Sequence, residues 1–542
     1  TRTATAHPSF LADMADTVED TKDAVSHVEE TRRAEDFTPL QAIKGSPIAI
    51  LSCIGAAIGP LMYGFDMVIV GACISMPAFQ FEYGTHLADN TFIIPALWQS
   101  LWNSLIQLGI IIGAMLNSAF QDRFGRRWGF RSGGFIAAVG VAVMYISDSP
   151  DSVDTRRSIF LVGKIILGAA MGQLNSTCQT YVSEVAPPKL RGPLLSIFTF
   201  AMVTGQVIAI SSVNARILIF TPIAYKVIIA SQWAWCGALF LLSFIIPESP
   251  FWLVSLNRQD RARTMYNRLN SSRVNRVAGF AVIKETLDHE SQSQNAIGQA
   301  SIAECFRGTN TRRTIIVAST FWLQQFLGVT LLANGPYFLQ MAGMNFVKSL
   351  EISQVGISLA LPATVISWWT MTRFGRRTIL LWSIVSVGLL WFSVGIAGVW
   401  PTNTTALMYI GVMMQIITFF FGLGGGSATP VIAAEISSAR LRALSQAVTF
   451  VNAAFSSWLF NFVVPYMFNS DQGNLGGLCG FIFGGLCVIG FIFSYFCIPE
   501  TKGRSIAEVD EMFESRVATR KFATYICSQQ YEEAQHKSLQ EA

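Results

Sequence analysis

The chain has 542 residues, 51% of them hydrophobic and only 13% charged, against about a quarter charged in soluble domains. Its charges are clustered, leaving stretches such as 380–400 with none, and about a dozen such apolar runs cannot share one soluble core. A net charge of +4 gives no reason to expect a nucleic-acid partner, so the solvent to expect is a lipid bilayer.

In chain order, residues 1–47 are polar and read as a cytoplasmic N-terminal tail. The first apolar run is too long and too late for a cleavable signal peptide. Six spans follow, near 48–72, 96–119, 129–147, 158–179, 193–213 and 222–246. They make a first six-helix half over 48–246. The stretch 247–313 is too charged to enter the bilayer and reads as a cytoplasmic linker. Six more spans, near 314–339, 354–371, 378–400, 406–431, 445–467 and 477–498, make a second half over 314–498. Residues 499–542 form a polar C-terminal tail. Nine cysteines, an odd number lying mostly inside the apolar runs, read as small apolar residues and not as a disulfide or metal framework.

The loops orient the chain. With both termini cytoplasmic, the inner loops hold Arg123, Arg126, Arg127, Arg131, Lys189, Arg191, Arg373, Arg376, Arg377, Arg440 and Arg442, and the outer loops only Arg156, Arg157, Arg216, Lys226 and Lys348. The positive-inside rule favours this arrangement. It puts the sequon at Asn403 outside, where a glycan is expected. The matching Asn175-Ser176-Thr177 lies inside a span, beyond reach of glycosylation.

The sequence also repeats itself. Asp122-Arg-Phe-Gly-Arg-Arg127 returns as Thr372-Arg-Phe-Gly-Arg-Arg377, 250 residues later. Glu184 to Arg191 returns as Glu435 to Arg442, 251 later, and Pro247-Glu248-Ser249 returns as Pro499-Glu500-Thr501, 252 later. Three collinear pairs at nearly one offset mean two duplicated halves. That is a common transporter plan, with substrate bound between the halves near the midplane. The fold expected is therefore an all-α membrane protein of twelve transmembrane helices in two six-helix pseudo-repeats.

Charges at the inner face are candidates for gating: Asp122, Arg126, Arg127, Glu184, Arg191, Arg376, Arg377, Glu435, Arg440 and Arg442. Asp122 is expected to pair with the neighbouring arginines or to sit at a helix N-terminus. Glu184 with Arg191, and Glu435 with Arg440 and Arg442, are expected to form networks between helices. Thr372 replaces the acid in the second copy, so the latch should be asymmetric. Deep inside the spans stand one acid, Asp66, and one base, Lys164. A charge at membrane depth is costly and marks function by default. The two are expected to pair, with Asp66 able to take up a proton; a static pair holding two helices is the alternative.

Neutral amides crowd the spans and suit a polyhydroxylated ligand, although amides also join helices. Gln324, Gln325, Asn334, Gln206 and Asn461, with Thr199 and Thr330, are the substrate-binding candidates. Trp322, Trp368 and Trp458 can stack on a sugar ring or sit at the lipid interface. The run Gly422, Gly424, Gly425, Gly426 should break up span ten. There is no Walker loop, no metal-ligand cluster and no catalytic constellation. No enzyme, cofactor or metal is expected.

With these residues the chain resembles the sugar porter family of the major facilitator superfamily over about residues 48–515. The resemblance rests on Gly64-Phe65-Asp66, the Asp122–Arg127 turn, Ser183-Glu184-Val-Ala-Pro187, Pro247-Glu248-Ser249-Pro250, Gln324-Gln325 with Gly328, and Pro499–Arg504. Within the family it is most similar to the fungal maltose and α-glucoside permease branch, on Glu435-Ile436, Arg440–Arg442, Pro465-Tyr466-Met467 and Glu508–Phe513. The resemblance implies proton-coupled uptake of a sugar, glycoside or related polyol across the fungal plasma membrane, by a monomer. The chain departs from the hexose-porter pattern at Lys164, Thr199, Thr330, Ala360 and Gly425, where Arg, Gln, Asn, Asn and Trp are usual. An exporter or facilitator of another small metabolite is the first alternative. A sensor that binds sugar without moving it is the second, and the short tail counts against it.

Overall fold

The structure is a computed structural model that describes residues 39–86, 92–271, 276–297, 301–438, 441–504, 506–522, 524, 525 and 527. Among the described residues ten helices are long and apolar enough to cross a bilayer. In chain order they are span 1 (Pro47–Ile74, bent at Ala57), span 2 (Ala96–Phe124), span 4 (Val153–Val185), span 5 (Leu190–Asn214 within Pro188–Asn214), span 6 (Ile223–Ile245), span 8 (Phe346–Phe374), span 9 (Arg376–Ala397), span 10 (Thr404–Ile436), span 11 (Leu444–Phe468) and span 12 (Gly476–Cys497).

Two further segments, one less apolar and one interrupted, complete the twelve. Span 3, Arg126–Tyr145, is diluted by arginine and glycine. Those glycines let it close on span 4: a Cβ on Gly140 would stand 2.8 Å from the Leu167 nitrogen. Span 7 is not the single helix expected over 314–339. It runs as Thr309–Phe326, Val329–Ala333 and Gly335–Met341. Gly328 adopts a left-handed φ of 87°, and Pro336 has no N–H to continue the ladder. The buried Trp391 indole donates to the freed Leu327 carbonyl at 2.9 Å. In span 10 the glycine run forms a π-helical turn, Phe421–Gly425, pinned by Ser383, whose hydroxyl donates to the Phe420 carbonyl and accepts from the Gly425 N–H.

Helices extend past the stretches read from hydropathy because the helical backbone continues into polar ends at both surfaces. Span 4 is 33 residues long, enough to reach beyond about 30 Å of hydrocarbon at 1.5 Å per residue. The charged stretch after span 6 carries helices Pro250–Ser255, Gln259–Leu269 and Arg276–Ile297 and a 3-10 turn, Ile302–Phe306. Span 7 begins at Thr309, inside that stretch.

Span 2 packs on 4, 3 on 4, and 1 on 5; in the second half span 9 packs on 12 and 8 on 10. The halves meet where span 11 lies along span 2 and span 8 along span 5. One face carries the turns at Gly125 and Gly375 and is called the basic face below; the other is the far face.

Candidate functional site

Span 1 carries Asp66 and span 4 carries Lys164. The Lys164 ammonium donates to both carboxylate oxygens, at 2.8 and 2.7 Å. The two side chains are 2% and 1% exposed. Close helix packing brings them together: a Cβ on Gly64 would overlap the Met202 carbonyl of span 5. Such a pair is held by mutual attraction against a heavy desolvation cost, and losing one partner strands the other.

Above the pair the far face is sealed. A Cβ on Gly71 would stand 2.8 Å from the Ala333 carbonyl, so span 1 abuts the break in span 7 about 7.5 Å along the helix from Asp66. There Asn334 accepts from the Asn103 amide of span 2 at 3.2 Å and donates to the Thr330 carbonyl at 2.9 Å. The Tyr337 hydroxyl accepts from the Ile94 N–H and donates to Asn469, whose amide donates to the Ile94 carbonyl at 2.9 Å. The Ala96 N–H donates to Asp471, and Ser100 to the Phe462 carbonyl. Gln340 donates to the Ser75 carbonyl at 2.8 Å, and Asn214 to Gln354 at 2.5 Å. The hydrogen bonds joining the halves gather on this face.

The amides of the spans divide into two sets. Asn117 donates to Thr177, Gln173 to Ser132, and Asn452 to the Ala318 carbonyl while accepting from Trp322; these join neighbouring helices. The other set is the substrate candidates, on span 7 and on spans 5 and 11. Gln325 is buried and accepts from Thr330, itself buried, at 2.7 Å. Gln324, half-buried, donates to Thr429 of span 10. Gln206 and Asn461 are half-buried, Asn461 donating to the Ser457 carbonyl of its own helix. Thr199 is exposed. Trp458 stacks between Phe455 and Phe462 along span 11, interplanar angles 26° and 23°. Asn103 was not among the residues singled out in the sequence; its place between Gln99 and Gln107 at four-residue spacing on span 2 was the signal that could have found it.

On the basic face the two copies of the turn build one arrangement twice. Arg126 pairs with Glu184 at 2.6 Å, and Arg376 with Glu435 at 2.9 Å. Glu248 accepts from the Arg126 N–H at 2.9 Å, and Glu500 from the Arg376 N–H at 3.0 Å, so a carboxylate sits on the N-terminus of spans 3 and 9. Gly125 and Gly375 both have φ of 94°, and a Cβ there would press on the same carboxylates.

This arrangement corrects one expectation and chooses between two others. Of its two expected roles Asp122 takes the pairing one: 67% exposed, it stands 3.7 Å from Arg126, and Glu248, not Asp122, sits on the helix N-terminus. Glu184 pairs with Arg126 and not with Arg191, which is exposed. Glu435 pairs with Arg376, while Arg440 and the Arg442 side chain lie outside the described residues. Arg127 and Arg377 donate to the Phe244 and Tyr495 carbonyls at the ends of spans 6 and 12. The recurrence of Pro-Glu-Ser/Thr was the signal for Glu248 and Glu500. Burial pushes the Glu248 carboxyl up, against the pull of the Ser249, Arg126 and Arg127 N–H donors. The copies also differ: Glu435 accepts from Thr501 at 2.5 Å, whereas the second oxygen of Glu184 is buried without a partner among the described residues.

Asn403 is exposed at the far-face start of span 10 and caps it, accepting from the Thr405 N–H at 2.9 Å. Among the described residues no group of His, Cys, Asp and Glu could hold a metal.

Comparison with known proteins fits this architecture. The profile of the family described as "Sugar (and other) transporter" matches residues 52–513. An Aspergillus fumigatus protein named MFS transporter fmqE is 32% identical over 533 residues, covering 93% of this chain and 97% of its own. The general alpha-glucoside permease of Saccharomyces cerevisiae is 28% identical over 529 residues, covering 95% and 84%. The inward-open xylose transporter XylE from E. coli superposes with a TM-score of 0.69 at 21% identity, covering 85% and 99%. The chain is a multi-pass membrane transporter, not an enzyme, and it belongs to the sugar porter family of the major facilitator superfamily.

Proposed function

We propose that this protein moves a sugar or glycoside across the plasma membrane by alternating access, with proton movement coupled through Asp66 and Lys164. The observation that carries the reading is the buried Asp66–Lys164 pair, 2.7 Å apart, beneath a far face sealed by hydrogen bonds and beside the broken span 7. Substrate would meet Gln324, Gln325, Thr330, Asn334, Gln206, Asn461 and Thr199 between the halves. The permease relatives supply the substrate class. The loop charges set the basic face in the cytoplasm with both termini, and Asn403 outside with a glycan. One chain contains both halves, so a monomer suffices.

In this reading the structure is inward-facing. Opening outward exchanges the Tyr337–Asn469–Ile94 and Gln340–Ser75 bonds for water, at a modest net cost of about 0.5–1.5 kcal/mol per bond. The charge networks around Arg126 and Arg376 lie each within one half and act as the gating surfaces that meet when the basic face closes. Protonation of Asp66 would release Lys164 and let spans 1 and 4 shift. Uptake of a panel of sugars and glycosides by cells lacking their own sugar carriers tests the proposal; no uptake of any of them sinks it.

A second reading, export of a less polar metabolite, is favoured by one feature. Where hexose porters usually carry Trp, Gly425 leaves its space to Leu327, whose Cδ1 would stand 2.2 Å from a Cβ there. The same panel, run for efflux with aromatic and acylated ligands, separates the two.

A further inference from the structure

Span 8 ends at the basic face in Phe374, and the loop after span 12 returns beside it. Between them lies a groove of about 570 Å³ lined by Trp369, Thr372, Arg373, Phe374 and Lys502. Two of the five lining side chains are cations and none is an acid. The Arg373 side chain has no ion-pair or hydrogen-bond partner among the described residues. Lys502 donates to the Arg373 carbonyl at 2.7 Å, which holds its ammonium at the groove and leaves two of its N–H bonds free. The neighbouring Glu500 turns its oxygens to the Arg376, Thr378 and Lys502 backbone N–H groups, and among the described residues it makes no ion pair with either cation. The remaining wall is aromatic and open: Trp369 is 60% and Phe374 55% exposed, and Val365 and Ile366 continue the exposed apolar surface up the span.

The duplication supplies an internal control. In the first copy the turn is Asp122-Arg123-Phe124, with an acid where Thr372 stands. There the Trp252 indole donates to the Asp122 carbonyl at 2.8 Å and packs against Gly125, filling the space. In the second copy Lys502 donates instead to the next carbonyl along, that of Arg373, among the described residues no tryptophan takes the place of Trp252, and the acid is gone. One turn is therefore plugged and charge-balanced, the other open and doubly cationic.

We propose that this groove binds the phosphate headgroup of an anionic phospholipid from the leaflet that meets the basic face. Arg373 and Lys502 hold the phosphate, and Trp369 and Phe374 pack on the glycerol and upper acyl region. A free phosphate would satisfy the cations and leave the aromatic wall unused; a lipid uses both, at the depth where Trp and Arg normally sit at a membrane border.

The test uses the full-length protein in nanodiscs of phosphatidylcholine with and without phosphatidylserine, with retained lipid read by native mass spectrometry. Wild type should retain phosphatidylserine over phosphatidylcholine. The double variant Arg373→Gln/Lys502→Gln should retain it roughly 20- to 30-fold less, from two lost surface cations. Thr372→Asp restores the acid of the first copy at an exposed position and should also weaken retention, which keeps the test alive if the double variant misfolds. Arg123→Gln, in the plugged copy, should leave it unchanged. Equal retention by wild type and Thr372→Asp, or by wild type and the double variant, overturns the proposal. Displacement of the lipid by inorganic phosphate or glycerophosphoserine shows a site for a free anion and overturns the lipid assignment.

Discussion

Replacing Asp66 with Asn removes the charge that Lys164 faces and leaves a buried ammonium with a neutral partner. Both side chains are almost fully buried, so water cannot take over. Stranding one member of such a pair costs about 3–5 kcal/mol, a large part of the about 5–15 kcal/mol that holds a typical protein folded. The double variant Asp66→Asn/Lys164→Gln removes both charges and should regain most of that loss. Stability alone does not distinguish a coupling pair from a static one, so the assay has two readouts. Thermal unfolding in detergent should rank wild type and the double variant close together, with Asp66→Asn well below. Uptake into proteoliposomes with an imposed pH gradient should show uphill accumulation by wild type only, with exchange partly kept in the double variant. If the double variant still concentrates substrate, the pair is structural. If wild type ignores the gradient, the proton has no part in transport. If Asp66→Asn is as stable as wild type, the burial argument itself is wrong.

Further outcomes can be checked directly. Because burial holds the Glu248 carboxyl above its ordinary range, its contribution to stability is fully present below the ordinary carboxylate pKa and is lost as pH rises through the raised folded value; Glu248→Gln should flatten that part of a melting-temperature profile against pH. Gln324→Ala or Gln325→Ala should weaken substrate binding by about 0.5–2 kcal/mol if each makes one or two hydrogen bonds to the ligand, read by ligand-dependent unfolding; unchanged affinity in both variants removes them from the site. Asn469→Ala takes a partner from the Ile94 carbonyl and from Tyr337, costing the sealed state about 1–3 kcal/mol, and should raise the labelling of a cysteine placed at Asn103 from the far side. Asn403→Gln should abolish an enzyme-removable glycan in fungal cells and cost about 1 kcal/mol as a lost helix cap; a chain that carries no glycan in such cells contradicts the assigned orientation.

The twelve spans were legible because hydrocarbon imposes a coarse rule: a crossing helix needs about 20 mostly apolar residues, whatever its neighbours. The duplication was legible as well, since collinear motifs at offsets of 250 to 252 residues survive without any knowledge of shape. Asp66 and Lys164 stood out because charge at that depth is rare. Partner choice was another matter. Glu184 looked nearest to Arg191 along the chain, yet Arg126, arriving from another helix, lies at 2.6 Å. Asp122 was open between pairing with an arginine and capping a helix; it pairs with Arg126, and the cap is Glu248, 122 residues from the arginine it serves.

What the sequence by itself determined was the solvent, the number of crossings, the two-fold repeat and the family, since each depends on composition or on motifs read one segment at a time. The tertiary structure alone decided which amides join helices, where span 7 breaks, which face is sealed, and why one copy of the turn is plugged by Trp252 while the other is open beside Lys502. The reason is physical. Apolar length is additive along a helix, whereas a hydrogen bond, an ion pair or an empty groove depends on distances of a few ångströms between segments hundreds of residues apart.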